Sequence, residues 1–149
     1  MVAPRSLPQA VLFACNFNTI RSPMAAELFR LRFGKVAWVD SCGVRKQVEP
    51  DPFVAAVMEE VGVDMSRHRA KTFADLDDAS FDMIVTLTPE AHHRALEFTR
   101  TIAVEVEYWP TMDPTIVQGS RAQQIEEYRA VRDALDRRIA QRFERPLQG

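Results

Sequence analysis

Short apolar runs alternate with helical periods four times along the 149 residues, and no other feature restricts the fold as strongly. Val11-Leu12-Phe13-Ala14 is apolar, rich in strand formers and too brief for a helix. Ser22-Pro23 then reads as N-cap and first helical residue, with Met24, Leu28 and Leu31 on one stripe and Gly34 as the stop. Val36-Ala37-Trp38-Val39 reads as a second strand. Asp51-Pro52 opens a second helix with Phe53, Val54, Val57, Met58 and Val61 inward and Gly62 past its end. Met83-Ile84-Val85-Thr86-Leu87 is the clearest buried strand, and Thr88-Pro89 caps a helix carrying Ala91, Ala95, Leu96 and Phe98. Val104 to Trp109 alternates, as a strand with one wetter face does. Ser120 and Gln123 form a capping box before a long helix spaced by Ile125, Tyr128, Val131, Leu135, Ile139 and Phe143.

This rhythm predicts an α/β fold: a four-stranded parallel sheet flanked by helices on both faces. The length fits a single domain over residues 1–149, with flexible tails at about 1–9 and 144–149. A net charge of −2 gives no global reason to expect nucleic acid or an anionic membrane as partner. No apolar run approaches the roughly 18 residues that a membrane span needs. Met1 to Pro8 has two prolines, one basic residue and no apolar core, so no signal peptide is expected there. Two cysteines cannot build a disulfide framework and fit a reducing compartment, so a cytoplasmic protein is expected. His92 and His93 are adjacent on a helix and diverge by about 100°, unlike the i, i+4 pairs of zinc helices. Neither a metal nor a cofactor is expected. Arg129, Arg132, Arg137, Arg138 and Arg142 alternate with acidic residues on the last helix and read as a solvated face.

Sheets of this kind hold their ligands beyond the carboxyl ends of the strands. Three segments lie there: Cys15 to Arg21, Ser41 to Val44, and the residues after Trp109. Cys15-Asn16-Phe17-Asn18-Thr19-Ile20-Arg21-Ser22 joins a buried strand to a helix start. Unpaired N–H groups and the helix dipole make such a junction an anion site before any side chain is counted. The same field favours a thiolate at Cys15. Arg21 returns a planar, two-pronged donor to the loop, matched to two oxygens of a phosphate, and Ser22 offers the sulfur a hydroxyl. The bare spacing C-x5-R-S is weak, since a structural cysteine beside a capping serine looks the same. Its position between strand and helix is what points to a nucleophile in an anion pocket.

Val11-Leu12-Phe13-Ala14-Cys15, then Asn18, then Arg21-Ser22-Pro23-Met24-Ala25, resembles the signature of the low-molecular-weight protein tyrosine phosphatases, a family that includes thioredoxin-coupled arsenate reductases. The resemblance runs on through Asp40-Ser41-Cys42-Gly43, Gly62 to Ser66, His68-Arg69-Ala70 and Asp113-Pro114, covering about residues 10 to 143. It implies a phosphomonoester hydrolase with Cys15 as nucleophile, Arg21 and the amides of residues 16 to 20 around the phosphoryl oxygens, and Ser22 assisting the departing thiolate. It implies Asp113 as general acid and then base, and Asn18, Ser41 and His68 as supports of the phosphate loop. The substrate would be a phosphotyrosine protein or a small aryl phosphate, with phosphate-like oxyanions as inhibitors. The alternatives are an arsenate reductase of the same fold and a module that binds phosphate without turnover.

Three positions depart from the family pattern. Phe17 stands where glycine is usual. If that position demands positive φ, the cost is about 1–3 kcal/mol; in an allowed region Phe17 instead walls the pocket. Thr115-Ile116 replaces the aromatics that follow the Asp-Pro pair, and the loop near Gln47 also lacks one. Ile20 stands where many members carry a second cysteine, and Ser66 to Leu87 holds no thiol pair of the kind that resolves an arsenylated cysteine. Cys42 could do so only from within disulfide range.

Overall fold

In the computed structural model the described residues are 7–47, 49–76 and 80–143. Four strands, β1 (Ala10–Cys15), β2 (Trp38–Gly43), β3 (Met83–Thr86) and β4 (Glu105–Tyr108), form one parallel sheet in the order β2-β1-β3-β4. The helices between and after them are α1 (Arg21–Phe33), α2 (Pro52–Glu59), α3 (Pro89–Leu96) and α4 (Arg121–Arg142). Side chains of a strand alternate between faces, and β1 divides accordingly. Val11, Phe13 and Cys15 enter a core built with α1, α2 and α4, while Leu12 and Ala14 enter a smaller core with Ala91 and Ala95 of α3. The sheet is thus covered on both faces, as the alternation predicts.

The α1 stripe runs through Ala25, Phe29 and Phe33, which are buried, whereas Leu31 is exposed. Phe29 meets Phe13, Phe33 and Phe143 in tilted and edge-on contacts, and Trp109 joins this aromatic cluster from beyond β4. Asp51, Thr88 and Ser120 cap α2, α3 and α4 through their side chains, Ser120 in the expected capping box.

Several elements differ from the sequence-based expectation. β2 starts at Trp38, two residues late, because the amides of Val36 and Ala37 both bond to the Phe33 carbonyl and keep that stretch in a turn. Ser22 is not an N-cap: α1 begins at Arg21 with Ile20 before it, and the Ser22 hydroxyl is directed at Cys15 instead. Val61, expected inward, is exposed, as is Leu96. The α4 arginines do not form a uniformly solvated face. Arg129 and Arg132 bind Glu60 beyond α2, Arg142 binds Glu107 of β4, and Arg138 lies over the Trp109 ring.

Of the expected tails, residues 1–6 and 144–149 lie outside the described residues. Leu7 packs against the main core, and the Gln9 amide binds the Asp82 carboxylate at 3.0 Å. No described helix is long and apolar enough to cross a membrane.

Candidate active site

The loop after β1 is shaped by one residue. Asn18 has φ 59°, the only positive value among the described non-glycine residues, so the chain turns through the left-handed region there and not at Phe17. A left-handed residue within a loop turns successive N–H groups toward one side. Among the described residues no acceptor meets the N–H groups of residues 16 to 20. These donors are left for a ligand.

Asn18 is fully buried and its side chain ties the loop from three sides. Nδ2 donates to Ser22 Oγ at 2.8 Å and to Ser41 Oγ at 2.9 Å, and Oδ1 accepts the Lys71 amide at 3.0 Å. Its carbonyl oxygen lies 2.7 Å from His68 Nε2. A carbonyl only accepts, so that nitrogen carries the proton. Asn18, Ser22, Ser41 and His68 are therefore brought into one network. Gly43, at the end of β2, leaves room for it: a Cβ there would lie 2.8 Å from Asn18 N and from the Phe17 carbonyl carbon. The Asn16 carbonyl accepts the Arg45 amide at 2.8 Å, while its side-chain oxygen is buried without a hydrogen-bond partner among the described residues.

Cys15 Sγ lies 2.9 Å from Ser22 Oγ and 3.4 Å from the Ser22 amide, at the first turn of α1. Ser22 Oγ is also 3.2 Å from the Cys42 carbonyl. One hydroxyl proton cannot serve both. With a thiol at Cys15, the S–H donates to Oγ and the hydroxyl proton goes to Cys42 O. With a thiolate, the hydroxyl turns to the sulfur while Asn18 keeps donating to Oγ. Ser22 thus accommodates both states of the sulfur without moving its heavy atoms.

Arg21 reaches across to the segment after β4, where NH1 donates to the Thr111 carbonyl at 2.9 Å. Two residues on, Asp113 caps the 3-10 turn Pro114–Ile116. One of its carboxylate oxygens accepts both the Thr115 amide (2.9 Å) and the Thr115 hydroxyl (2.7 Å). Cys15, Arg21 and Asp113 line one cleft of about 280 Å³, together with Phe17, Thr19 and Ile20. Phe17 is 41% exposed and forms a wall, with the Arg45 guanidinium 6.0 Å from its ring centre. The lining also carries the acidic residues Glu49 and Asp51. A larger groove of about 930 Å³ runs along α2 and shares Thr19, Gln47 and Asp51 with the cleft, but touches neither Cys15 nor Arg21. The reacting groups belong to the smaller one.

Cys42 pairs with Ala14 across β1–β2 and points into the α3-side core, whereas Cys15 points into the other. Thiols on opposite faces of a sheet do not bridge without backbone movement. Burial pushes the Cys42 thiol well above its ordinary value, and the nearby Cys15 adds to the shift, so Cys42 stays protonated.

Four contributors escape sequence reasoning: the Thr111 carbonyl under Arg21, the Lys71 amide behind Asn18, the Thr115 hydroxyl on Asp113, and the acidic lining. Thr115 alone left a signal, since Asp-Pro-Thr has the form of a short N-capped turn. Among the described residues no three His, Cys, Asp or Glu side chains group as a metal site requires.

Residues 10–147 match the family described as low molecular weight phosphotyrosine protein phosphatase. A glutaredoxin arsenate reductase of Synechocystis sp. is 30% identical over 131 residues, 87% of this chain and 92% of the relative. A tyrosine phosphatase of Erwinia amylovora superposes with a TM-score of 0.74 over 91% of each chain at 18% identity. An arginine phosphatase of Geobacillus stearothermophilus superposes at 0.73 over 89% of each chain with 25% identity. The chain is thus similar to proteins with different named activities, and the match over residues 10–147 makes it a member of the low-molecular-weight phosphotyrosine protein phosphatase family.

Proposed function

We propose that this protein hydrolyses phosphate monoesters through a phosphocysteine intermediate at Cys15. The observation that carries this reading is that Cys15, Arg21 and Asp113 line one small cleft, beside a loop whose amides meet no acceptor among the described residues. The Cys15 thiolate attacks phosphorus while Arg21 and the loop amides hold the oxygens on which charge builds. Asp113 gives its proton to the leaving oxygen, then takes one from the water that attacks the phosphocysteine. The Ser22 hydroxyl turns to the sulfur as it regains its negative charge. No cofactor enters this sequence, and phosphate-like oxyanions compete for the same cradle.

A second reading is arsenate reduction, favoured by the name of the Synechocystis relative. Cys15 would then form an arsenyl thioester with loss of water. An external thiol would attack the Cys15 sulfur, giving a mixed disulfide and arsenite, so that two thiols supply the two electrons. The face on which Cys42 lies argues for an external thiol over an internal one.

One assay separates these readings. The protein is given phenyl, alkyl, sugar and peptide phosphates together with phosphoarginine, and separately arsenate with a small thiol. Hydrolysis that Cys15→Ser abolishes is expected, and Asp113→Ala should slow it about 10²–10⁴-fold, most for poor leaving groups. No ester hydrolysis but thiol-dependent arsenite release would hand the site to the second reading. An unchanged rate in Cys15→Ser would remove Cys15 as nucleophile.

A further inference from the structure

The catalytic arginine proposed above is anchored by a backbone carbonyl, and the segment that carries this carbonyl is tied by a chain of hydrogen bonds to the last residue of α4. Arg142, at the end of α4, donates Nε and NH2 to the Glu107 carboxylate at 2.8 and 2.6 Å. Glu107 Oε1 accepts the Trp109 indole N–H at 3.0 Å. The Trp109 carbonyl accepts the Thr111 hydroxyl at 2.9 Å, and the Thr111 carbonyl accepts Arg21 NH1 at 2.9 Å. The Trp109 and Thr111 amides bond to the carbonyls of Thr86 and Leu87 at and just past the end of β3. The strut therefore runs along the strand ends, and Asp113 lies two residues beyond it.

We infer that Glu107 is a positioning residue: clamped by Arg142, it fixes the Trp109 indole and, through the Trp109–Thr111 segment, the carbonyl that receives Arg21. This rests on the reading of Cys15 and Arg21 as the reacting pair. The indole is 2% exposed, packed edge-on to Phe13 at 6.0 Å, so its N–H is a buried donor that must find an acceptor. Only 12% of the Arg142 side chain and 21% of the Glu107 side chain are exposed, so the pair is well shielded and its fork geometry specifies orientation. Burial alone would raise the Glu107 carboxyl, but the hydrogen bonds from Arg142 and Trp109 outweigh it and hold the group below the usual carboxylate range, ionised and able to clamp. Finally, a guanidinium on a long flexible stem binds an oxyanion better when one donor is already parked and the others are left free. A surface ion pair would do none of this.

The test measures two quantities on the whole protein: the Kd for inorganic phosphate by calorimetry and kcat/KM for an aryl phosphate. Glu107→Ala should weaken phosphate binding about fivefold to tenfold and lower kcat/KM at least as much. Glu107→Gln keeps an acceptor for the indole N–H and should recover most of the loss. Glu126→Gln, which removes a carboxylate that binds Arg129 elsewhere on α4, should change neither quantity. In an Arg21→Lys background, Glu107→Ala should add nothing, because the group it acts through is gone. Trp109→Phe deletes the N–H yet keeps the buried ring, and it repeats the measurement should Glu107→Ala fold poorly. Losses that multiply in the Arg21→Lys background, or a lower Tm with phosphate affinity and kcat/KM unchanged, would overturn the inference and leave an ordinary structural ion pair. A wild type that binds phosphate but hydrolyses no ester would overturn the hydrolase reading alone, and the phosphate affinities would still decide this one. A wild type that binds no phosphate would overturn both.

Discussion

Asn18 carries two tasks that substitutions separate. Its backbone occupies the left-handed region at φ 59°, and its side chain binds Ser22, Ser41 and the Lys71 amide. Asn18→Ala loses both the tolerated conformation and the network, and leaves buried donors and acceptors without partners. Asn18→Gly loses only the network. Left-handed backbone costs an alanine roughly 1–2 kcal/mol that glycine avoids, so Asn18→Gly should unfold at the higher denaturant midpoint. Both should lose hydrolysis to a similar degree, since the loop loses the same ties in each. A fully active Asn18→Gly would show that the turn alone shapes the cradle. The same geometry explains Phe17. The left-handed step falls one residue later, so Phe17 lies outside that region and is free to wall the cleft.

Between elements, the contact that decides the site is the end of β2 against the loop after β1. Gly43 pairs with Cys15 in register, and the atoms a Cβ would meet there, Asn18 N, the Phe17 carbonyl carbon and Arg45 O, all belong to backbone. Backbone cannot swing aside as a side chain does. Gly43→Ala should therefore displace the loop, at a cost of about 1–3 kcal/mol in stability, and reduce phosphate binding by at least tenfold while far-UV circular dichroism stays unchanged. Unaltered phosphate binding would mean that the loop adapts without loss. The same scale explains what the sequence disclosed. β1 and β3 stand in the middle of the sheet, buried on both faces, and their apolar runs declared them. β2 is an edge strand whose later residues, Asp40 and Ser41, are polar because they support the loop or pair with Lys71, so the apolar run that stands out in the sequence begins at Val36 instead. Ser-Pro is a cap pattern wherever it occurs, and nothing local to Ser22 discloses that its hydroxyl is claimed by a sulfur seven residues earlier. Cys15, Arg21 and Asp113 were legible as residue types in a known arrangement. Thr111 and Lys71 contribute backbone groups, which any residue type supplies, and so left no mark in the sequence.

Over the whole molecule, α4 closes the fold by binding elements that lie far apart in the chain. Arg32 of α1 holds Asp136, Tyr128 donates to Asp51 at the start of α2, and Arg129 and Arg132 grip Glu60 just beyond its end. Glu60 gives this closure a pH signature. Hydrogen bonds from Arg129 and then Arg132 lower its carboxyl from 4.5 to about 2, against a smaller opposing effect of burial. A carboxyl lowered on folding stabilises the native state fully above its unfolded value, and the contribution disappears as pH falls through the folded one. The ties from α4 to the end of α2 should therefore be intact at pH 5 and above, and weaken steadily between about pH 4.5 and pH 2. Glu60→Gln removes the titrating group. Its Tm should lie below that of the wild type at neutral pH, and the gap should close on acidification through that window. A gap of constant size from pH 6 to pH 2 would mean that Glu60 contributes through packing and not through its charge, and α4 would then be held to α2 mainly by the buried contacts of Val57, Met58, Tyr128 and Val131.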